Sequence, residues 1–143
     1  MNSDTINLLM ECNAGIKMGE SAMKQVLPHA RDKELRHILE VAKNTHAALG
    51  DETQSMLQSS GKATKSSHPI AQAMSSVKIG VTMLVKESDK SIAGLMTDGC
   101  DMGIKSLSGF LNQYKTASDE AKTIAKRLIA SEEFLEGKLR SYL

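Results

Sequence analysis

The chain has 143 residues, a formal net charge of +1 and only 3% aromatic residues, with no tryptophan. This balanced charge, without a basic run, excludes strong electrostatic attraction to nucleic acid or an anionic membrane surface, and the scarcity of aromatic rings removes the stacking platforms that single-stranded nucleic acid needs. The sequence has no apolar run of about eighteen residues and no signal-peptide pattern at its N-terminus, so we expect a single domain in the cytoplasm that does not span a membrane.

The first two predicted elements are helices joined by a short turn at Pro28 and His29. In each helix, the inward positions recur at alternating intervals of four and three residues, which places them on one face. These stripes are Leu9, Asn13, Ile16, Glu20, Met23 and Leu27 in the helix at about 4–27, and Leu35, Leu39, Ala42, His46, Leu49, Thr53 and Met56 in the helix at about 32–59. We expect Ser3 or Asp4 to cap the first helix and Asp32 to cap the second, because their side-chain oxygens can accept hydrogen bonds from the free N–H groups of a first turn.

The middle of the chain carries a third amphipathic segment, at about 68–86. Ser67 and Pro69 mark its start, since proline is favoured at the first position of a helix. The same spacing of four and three continues in Ile70, Met74, Val77, Val81 and Leu84. The pattern predicts a helix that crosses from one end of a bundle to the other.

The last two predicted helices lie at about 89–114 and 118–143, with Ser118 as the cap of the second. Their inward stripes are Ile92, Met96, Cys100, Gly103, Leu107, Phe110 and Tyr114, followed by Ala121, Ile124, Leu128, Glu132, Leu135 and Leu139. Cys12 and Cys100 both fall on apolar helix faces and form no CxxC pair. Reduced, buried thiols in a cytoplasmic protein are the simplest interpretation.

Two short connections and one long one predict two antiparallel helical hairpins joined by a crossover, which is the ferritin-like topology. The chain resembles the ferritin-like superfamily over nearly its whole length, and within it a family of small, functionally uncharacterised bacterial bundles. The matching segments are DTINLLMECNAGIKMGESAM, RDKELRHILEVAKNTHAAL, PIAQAMSSVKIGV and SDKSIAGLMTDGCDMGIKSL. The resemblance implies an all-α fold: a ferritin-like four-helix bundle with an additional amphipathic crossover helix.

Three polar residues, Glu20, His46 and Glu132, interrupt the apolar stripes and are expected to point into the core. The resemblance implies a di-iron site with a glutamate on each of two helices and a Glu-x-x-His pair on each of the other two. Only these three of the implied ligands are present. Lys43 stands where the first ligand of the second helix is expected, and Cys100 stands where a glutamate is expected. The sequence therefore predicts no metal, no cofactor and no catalytic residue.

The alternative interpretation of this level of the bundle is a polar core layer of Glu20, Lys43, His46, Cys100 and Glu132. In this layer Lys43 is expected to neutralise one of the two glutamates. The second glutamate is left either protonated or hydrogen-bonded by Asn13, Thr45 or His46. A mononuclear or weak iron or manganese site on Glu20, His46 and Glu132 stays open as a competing hypothesis.

The function predicted from these patterns is that of a non-catalytic cytoplasmic bundle that acts by self-association or by binding a protein partner. A homodimer is expected, because apolar residues also lie outside the main stripes, at Met10, Met18, Ile129 and Phe134. The rival class is a metal-binding or redox protein of the ferritin-like type. A stress- or spore-associated structural protein is suggested by the resemblance alone.

Overall fold

The structure is a computed structural model that describes residues 1–61 and 88–143. These residues form four α-helices and two short 3-10 turns, and they contain no strand. The helices are α1 (Ser3–Val26), α2 (Lys33–Ser59), α3 (Asp89–Gln113) and α4 (Asp119–Leu139), and the turns are Leu27–His29 and Arg140–Tyr142. The helix predicted at 68–86 lies outside the described residues.

The start of α1 differs from the sequence-based prediction. The side chain of Asn2, rather than that of Ser3 or Asp4, accepts the hydrogen bond from the Thr5 N–H, at 2.9 Å. The Asp4 carboxylate instead accepts hydrogen bonds from the backbone N–H of Thr116 at 3.0 Å and from its hydroxyl at 2.7 Å. The Asp4 side chain therefore links the start of α1 to the connection between α3 and α4 through hydrogen bonds.

The caps of α2 and α4 are those predicted, since Asp32 accepts from the Leu35 N–H and Ser118 from the Ala121 N–H. The last helix is shorter than the predicted span of 118–143, because the chain tightens into a 3-10 turn after Leu139. This turn brings the hydroxyl of Tyr142 to the Asp32 carboxylate, to which it donates at 2.5 Å.

Contacts between helix ends set the direction of the four helices. At one end, Asp4 at the start of α1 meets Thr116 just after α3. At the other end, the carboxylate of Asp89 at the start of α3 accepts from the backbone N–H groups of Arg31 at 2.8 Å and Asp32 at 3.0 Å, just before α2. It follows that α1 and α4 run in one direction and α2 and α3 in the other. Consequently, α2 ends at the opposite end of the assembly from the point where α3 begins.

The core consists of two apolar clusters stacked along the helices. The cluster nearer the α1–α2 turn includes Met23, Val26, Leu35, Leu39, Ile92, Met96, Cys100, Leu135 and Leu139. The other includes Leu8, Leu9, Cys12, Ile16, Leu49, Leu57, Leu107, Ile124 and Leu128. Each fully buried leucine or isoleucine contributes on the order of 1.5–3 kcal/mol through the removal of apolar surface from water. The boundary between the two clusters is where Glu20, His46 and Glu132 lie.

Candidate functional site

A single polar layer separates the two apolar clusters, and all four helices contribute to it. On each helix, the layer residues lie between a member of one cluster and a member of the other. The layer residues are Gly19 and Glu20 on α1, His46 on α2, Gly103 on α3 and Glu132 on α4. Their flanking cluster members are, in the same order, Ile16 and Met23, Ala42 and Leu49, Cys100 and Leu107, and Leu128 and Leu135. The stripe pattern predicted the inward position of His46, whose exposed fraction is 0%. This layer is the candidate functional site.

The centre of the layer is a hydrogen-bonded pair between α2 and α4. Nε2 of His46 lies 2.9 Å from Oε1 of Glu132, whose side chain is 12% exposed. The other ring nitrogen, Nδ1, lies 3.0 Å from the carbonyl oxygen of Ala42. A carbonyl oxygen only accepts hydrogen bonds, so Nδ1 carries a proton and donates it to Ala42. Both nitrogens of the imidazole are therefore engaged by the protein itself.

Glycine lies against this pair on each of the two remaining helices, but only Gly19 is needed to give it space. A Cβ atom on Gly19 of α1 would lie 2.9 Å from both Cδ2 and Nε2 of His46, closer than packed side-chain atoms approach one another. A Cβ atom on Gly103 of α3 would lie 3.7 Å from the carboxyl carbon of Glu132, an ordinary contact. The imidazole is thus pressed against the backbone of α1, and only glycine at position 19 permits this approach.

Gly19 is the functional residue that the sequence patterns missed. A glycine in the middle of a helix costs about 1 kcal/mol relative to alanine, and such a glycine frequently marks a close approach between elements. The glycine in the middle of α1 is visible in the sequence. Its role depends on which residue of another helix packs against it, and the spacing of residues within α1 does not reveal that residue.

Glu20 takes part in the layer at its edge. It is half-buried, and one of its carboxylate oxygens would lie 3.4 Å from a Cβ atom built on Gly50 of α2. Its negative charge acts on His46 and favours the protonated ring. The structure therefore brings Glu20, His46 and Glu132 to the same level, with a direct hydrogen bond only between the last two.

The predicted role of Lys43 is corrected by the structure. Its ammonium group lies 3.1 Å from the Glu40 carboxylate, one turn earlier on α2, and the two side chains are 30% and 51% exposed. Lys43 projects away from the inward stripe that holds Ala42 and His46, so it does not neutralise Glu20 or Glu132 as expected. The cation partner of the buried carboxylate is His46.

The environment of His46 favours its charged form. Burial lowers the pKa of His46, but the hydrogen bond and the negative charge of Glu132 oppose this effect. The contact with the Ala42 carbonyl and the charge of Glu20 add to the opposition, so the pKa lies above its ordinary value of 6.5. The pair is consequently best described as an imidazolium and a carboxylate in contact.

The two cysteines are buried thiols without the environment of a nucleophile. Burial and the nearby charge of Glu11 raise the pKa of Cys12 to about 12. Burial and the neighbouring Glu132 carboxylate raise the pKa of Cys100 far above its ordinary value. Since the thiolate is the reactive form, both groups are inert at neutral pH. Cys100 belongs to the apolar cluster that borders the layer, where it is a neutral neighbour of Glu132.

Within residues 1–61 and 88–143, no group of three or more histidine, cysteine, aspartate or glutamate side chains converges to hold a metal ion. In the same ranges, every helix is too short or too polar to cross a membrane. No protein-family model, curated protein or solved structure matches the chain.

Proposed function

We propose that the protein is a non-catalytic, ferritin-like four-helix bundle in which an internal ion pair replaces the metal centre, and that it acts in the cytoplasm through association. The observation that carries the proposal is the use of both nitrogens of His46, one by the Ala42 carbonyl and one by the Glu132 carboxylate. A metal-binding histidine needs one nitrogen lone pair free for the ion. Here neither nitrogen is free while the pair is formed.

The residues present do not fit a di-metal centre. Two divalent ions bring about four positive charges and require several carboxylates to balance them. Glu20 and Glu132 are the two carboxylates that the stripes place at this level, and Glu132 is already neutralised by His46. The proposed bundle therefore uses this layer for structure and not for iron or manganese chemistry.

One observation favours the rival metal-binding function. The hydrogen bond from Nδ1 of His46 to a backbone carbonyl is the arrangement that orients many metal-binding histidines. Loss of the proton on Nε2, with rotation of Glu132 and Glu20 toward it, would create a mononuclear site of three ligands for iron or manganese. Elemental analysis of the purified protein for iron, manganese and zinc separates the two functions. We expect substoichiometric metal, and stoichiometric metal that is lost in Glu20→Ala would establish the rival.

The proposed mode of action is self-association into a homodimer. Of the apolar residues that suggested it, Met10 and Ile129 pack partly against the core, whereas Phe134 on α4 is 64% exposed. The ammonium group of Lys138 lies 5.4 Å from the centre of the Phe134 ring, which leaves an amphipathic exposed patch on α4.

Light scattering across a range of protein concentrations tests this mode of action. We expect a dimer mass that Phe134→Glu shifts toward the monomer. Met102→Glu is the matched control, because Met102 is 69% exposed on the neighbouring helix and was not among the residues predicted for association. A monomer at every concentration, or equal effects of the two variants, would contradict the proposal.

A further inference from the structure

The hydrogen bonds of His46 fix the number of protons in the polar layer. Nδ1 must carry a proton, because its partner is a carbonyl oxygen. If the ring were neutral, Nε2 would then present a lone pair to Oε1 of Glu132 at 2.9 Å, and two acceptors would face each other. A hydrogen bond at this distance therefore requires one further proton between Nε2 and the carboxylate.

The layer offers Nε2 of the His46 ring no other hydrogen-bond donor if that proton leaves. The ring is fully buried, and the backbone of α1 at Gly19 blocks its retreat. The Cys100 thiol, which stays protonated at neutral pH, can donate to the Glu132 carboxylate beside it but supplies no proton to the ring. Loss of the proton would thus leave a neutral ring against a buried carboxylate in a water-poor layer, which is costly.

The other charged groups around His46 reinforce this arrangement. Glu20 faces it from α1 and favours the protonated ring. On its own helix, the nearest cation is Lys43, which is neutralised by Glu40 at the surface. On the seam between α3 and α4, Asp101 lies close to Glu136, and its proximity raises the pKa of the Glu136 carboxyl. Negative groups therefore surround the pair, and none of these neighbours replaces the missing proton.

We propose that the His46–Glu132 pair is a pH-sensitive lock: the fold takes up one proton near neutral pH and loosens as that proton is lost in mild alkali. The folded pair holds a proton on each ring nitrogen. In the unfolded chain above pH 6.5, the imidazole is mostly neutral and holds only one. The opening of the lock separates α2 from α4 at the boundary between the two apolar clusters.

The direction of the pH dependence follows from proton linkage. Because the folded state binds more protons than the unfolded state, the free energy of unfolding falls as the pH rises. The contribution of the pair is fully present below pH 6.5 and is lost as the pH rises through the raised pKa of His46. Between these two limits the unfolding equilibrium constant should rise by up to about tenfold for each pH unit.

The test is chemical denaturation of the full chain at a series of pH values from about 6 to about 9. We expect the wild-type protein to lose stability across this range. Glu132→Gln should flatten the profile, because an amide can donate its own proton to the Nε2 atom of a neutral ring. His37→Gln removes an exposed histidine of the same helix and should leave the wild-type slope unchanged. A flat wild-type profile, or an equal slope in Glu132→Gln, overturns the proposal.

A second measurement decides the matter if Glu132→Gln fails to fold. Nuclear magnetic resonance of the nitrogen-labelled wild-type protein reports the protonation of each ring nitrogen of His46. We expect both nitrogens to be protonated at pH 7, with a titration midpoint above 6.5. A neutral ring at pH 7, or a midpoint at or below 6.5, would show that the layer holds no such proton and would refute the lock.

Discussion

Replacement of Gly19 by alanine tests the packing of the polar layer. In most helices this change is stabilising by about 1 kcal/mol, because alanine has less backbone freedom to lose on folding. In α1 the new methyl group would lie 2.9 Å from two atoms of the His46 ring. Since that ring is held at both nitrogens, it cannot turn aside without breaking a hydrogen bond in the core.

The expected change in the free energy of unfolding is the difference between the gain in helix propensity and the cost of overpacking against His46. Overpacking of a well-filled core costs typically about 1–3 kcal/mol. After subtraction of the gain in helix propensity, Gly19→Ala should change stability by between roughly 0 and 2 kcal/mol in the destabilising direction. Gly109→Ala is the matched control: this glycine is exposed inside α3, and a Cβ atom there would meet no atom within 4 Å. The control should be stabilised by about 1 kcal/mol.

Urea denaturation of both variants and the wild-type protein measures the difference. The two alanine variants should differ by about 1–3 kcal/mol, which is the overpacking cost alone. If Gly19→Ala is as stable as Gly109→Ala, the His46 ring does not lie against α1, and the geometry of the layer described here is wrong.

Three further outcomes follow from burial and contacts. Leu128→Ala should lower the free energy of unfolding by about 2–5 kcal/mol, because Leu128 is buried in the core. A polar residue in place of the half-buried Met18 should lower it by less than about 1 kcal/mol. Denaturant titration measures both effects. At pH 6, Glu132→Ala should cost about 1–3 kcal/mol, because it leaves Nε2 of the buried His46 ring without a hydrogen-bond partner. Lys43→Ala should cost less than about 1 kcal/mol, because its ion pair is solvated; equal losses would restore the role first predicted for Lys43. Labelling of Cys100 with a thiol reagent should be far slower in the native protein than in denaturant, and a fast native reaction would indicate an open layer.

The spacing of the inward stripes predicted three of the buried polar residues, Asn13, His46 and Thr53, but not Thr5 or Thr97. The intervals of four and three placed His46 and Glu132 on the buried faces of α2 and α4, where they meet. This success has a physical reason, because the direction of a side chain on a helix depends on the position of its residue in the helical repeat. The prediction for Lys43 used the level of the residue along the helix axis and not the direction of its side chain. The predicted ion pair with Glu20 or Glu132 was therefore wrong, and the partner is Glu40.

The remaining features depend on atoms from different segments of the chain. The closeness of Gly19 to His46 requires knowledge of how α1 and α2 face each other. The cap of α1 was misassigned because Asn2 and Asp4 are both good caps, and the choice between them is decided by Thr116, more than a hundred residues away. Local propensity could not distinguish these candidates, since the deciding contact is tertiary.

We propose that an internal ion pair, and not a metal ion, occupies the polar layer. The most direct test is the nitrogen resonance spectrum of the His46 ring, recorded at pH 7 with and without excess Zn²⁺ as a diamagnetic substitute for Fe²⁺. We expect two protonated ring nitrogens and an unchanged spectrum when the metal is added. Stoichiometric loss of the Nε2 proton on addition of the metal, abolished by Glu20→Ala, would contradict it.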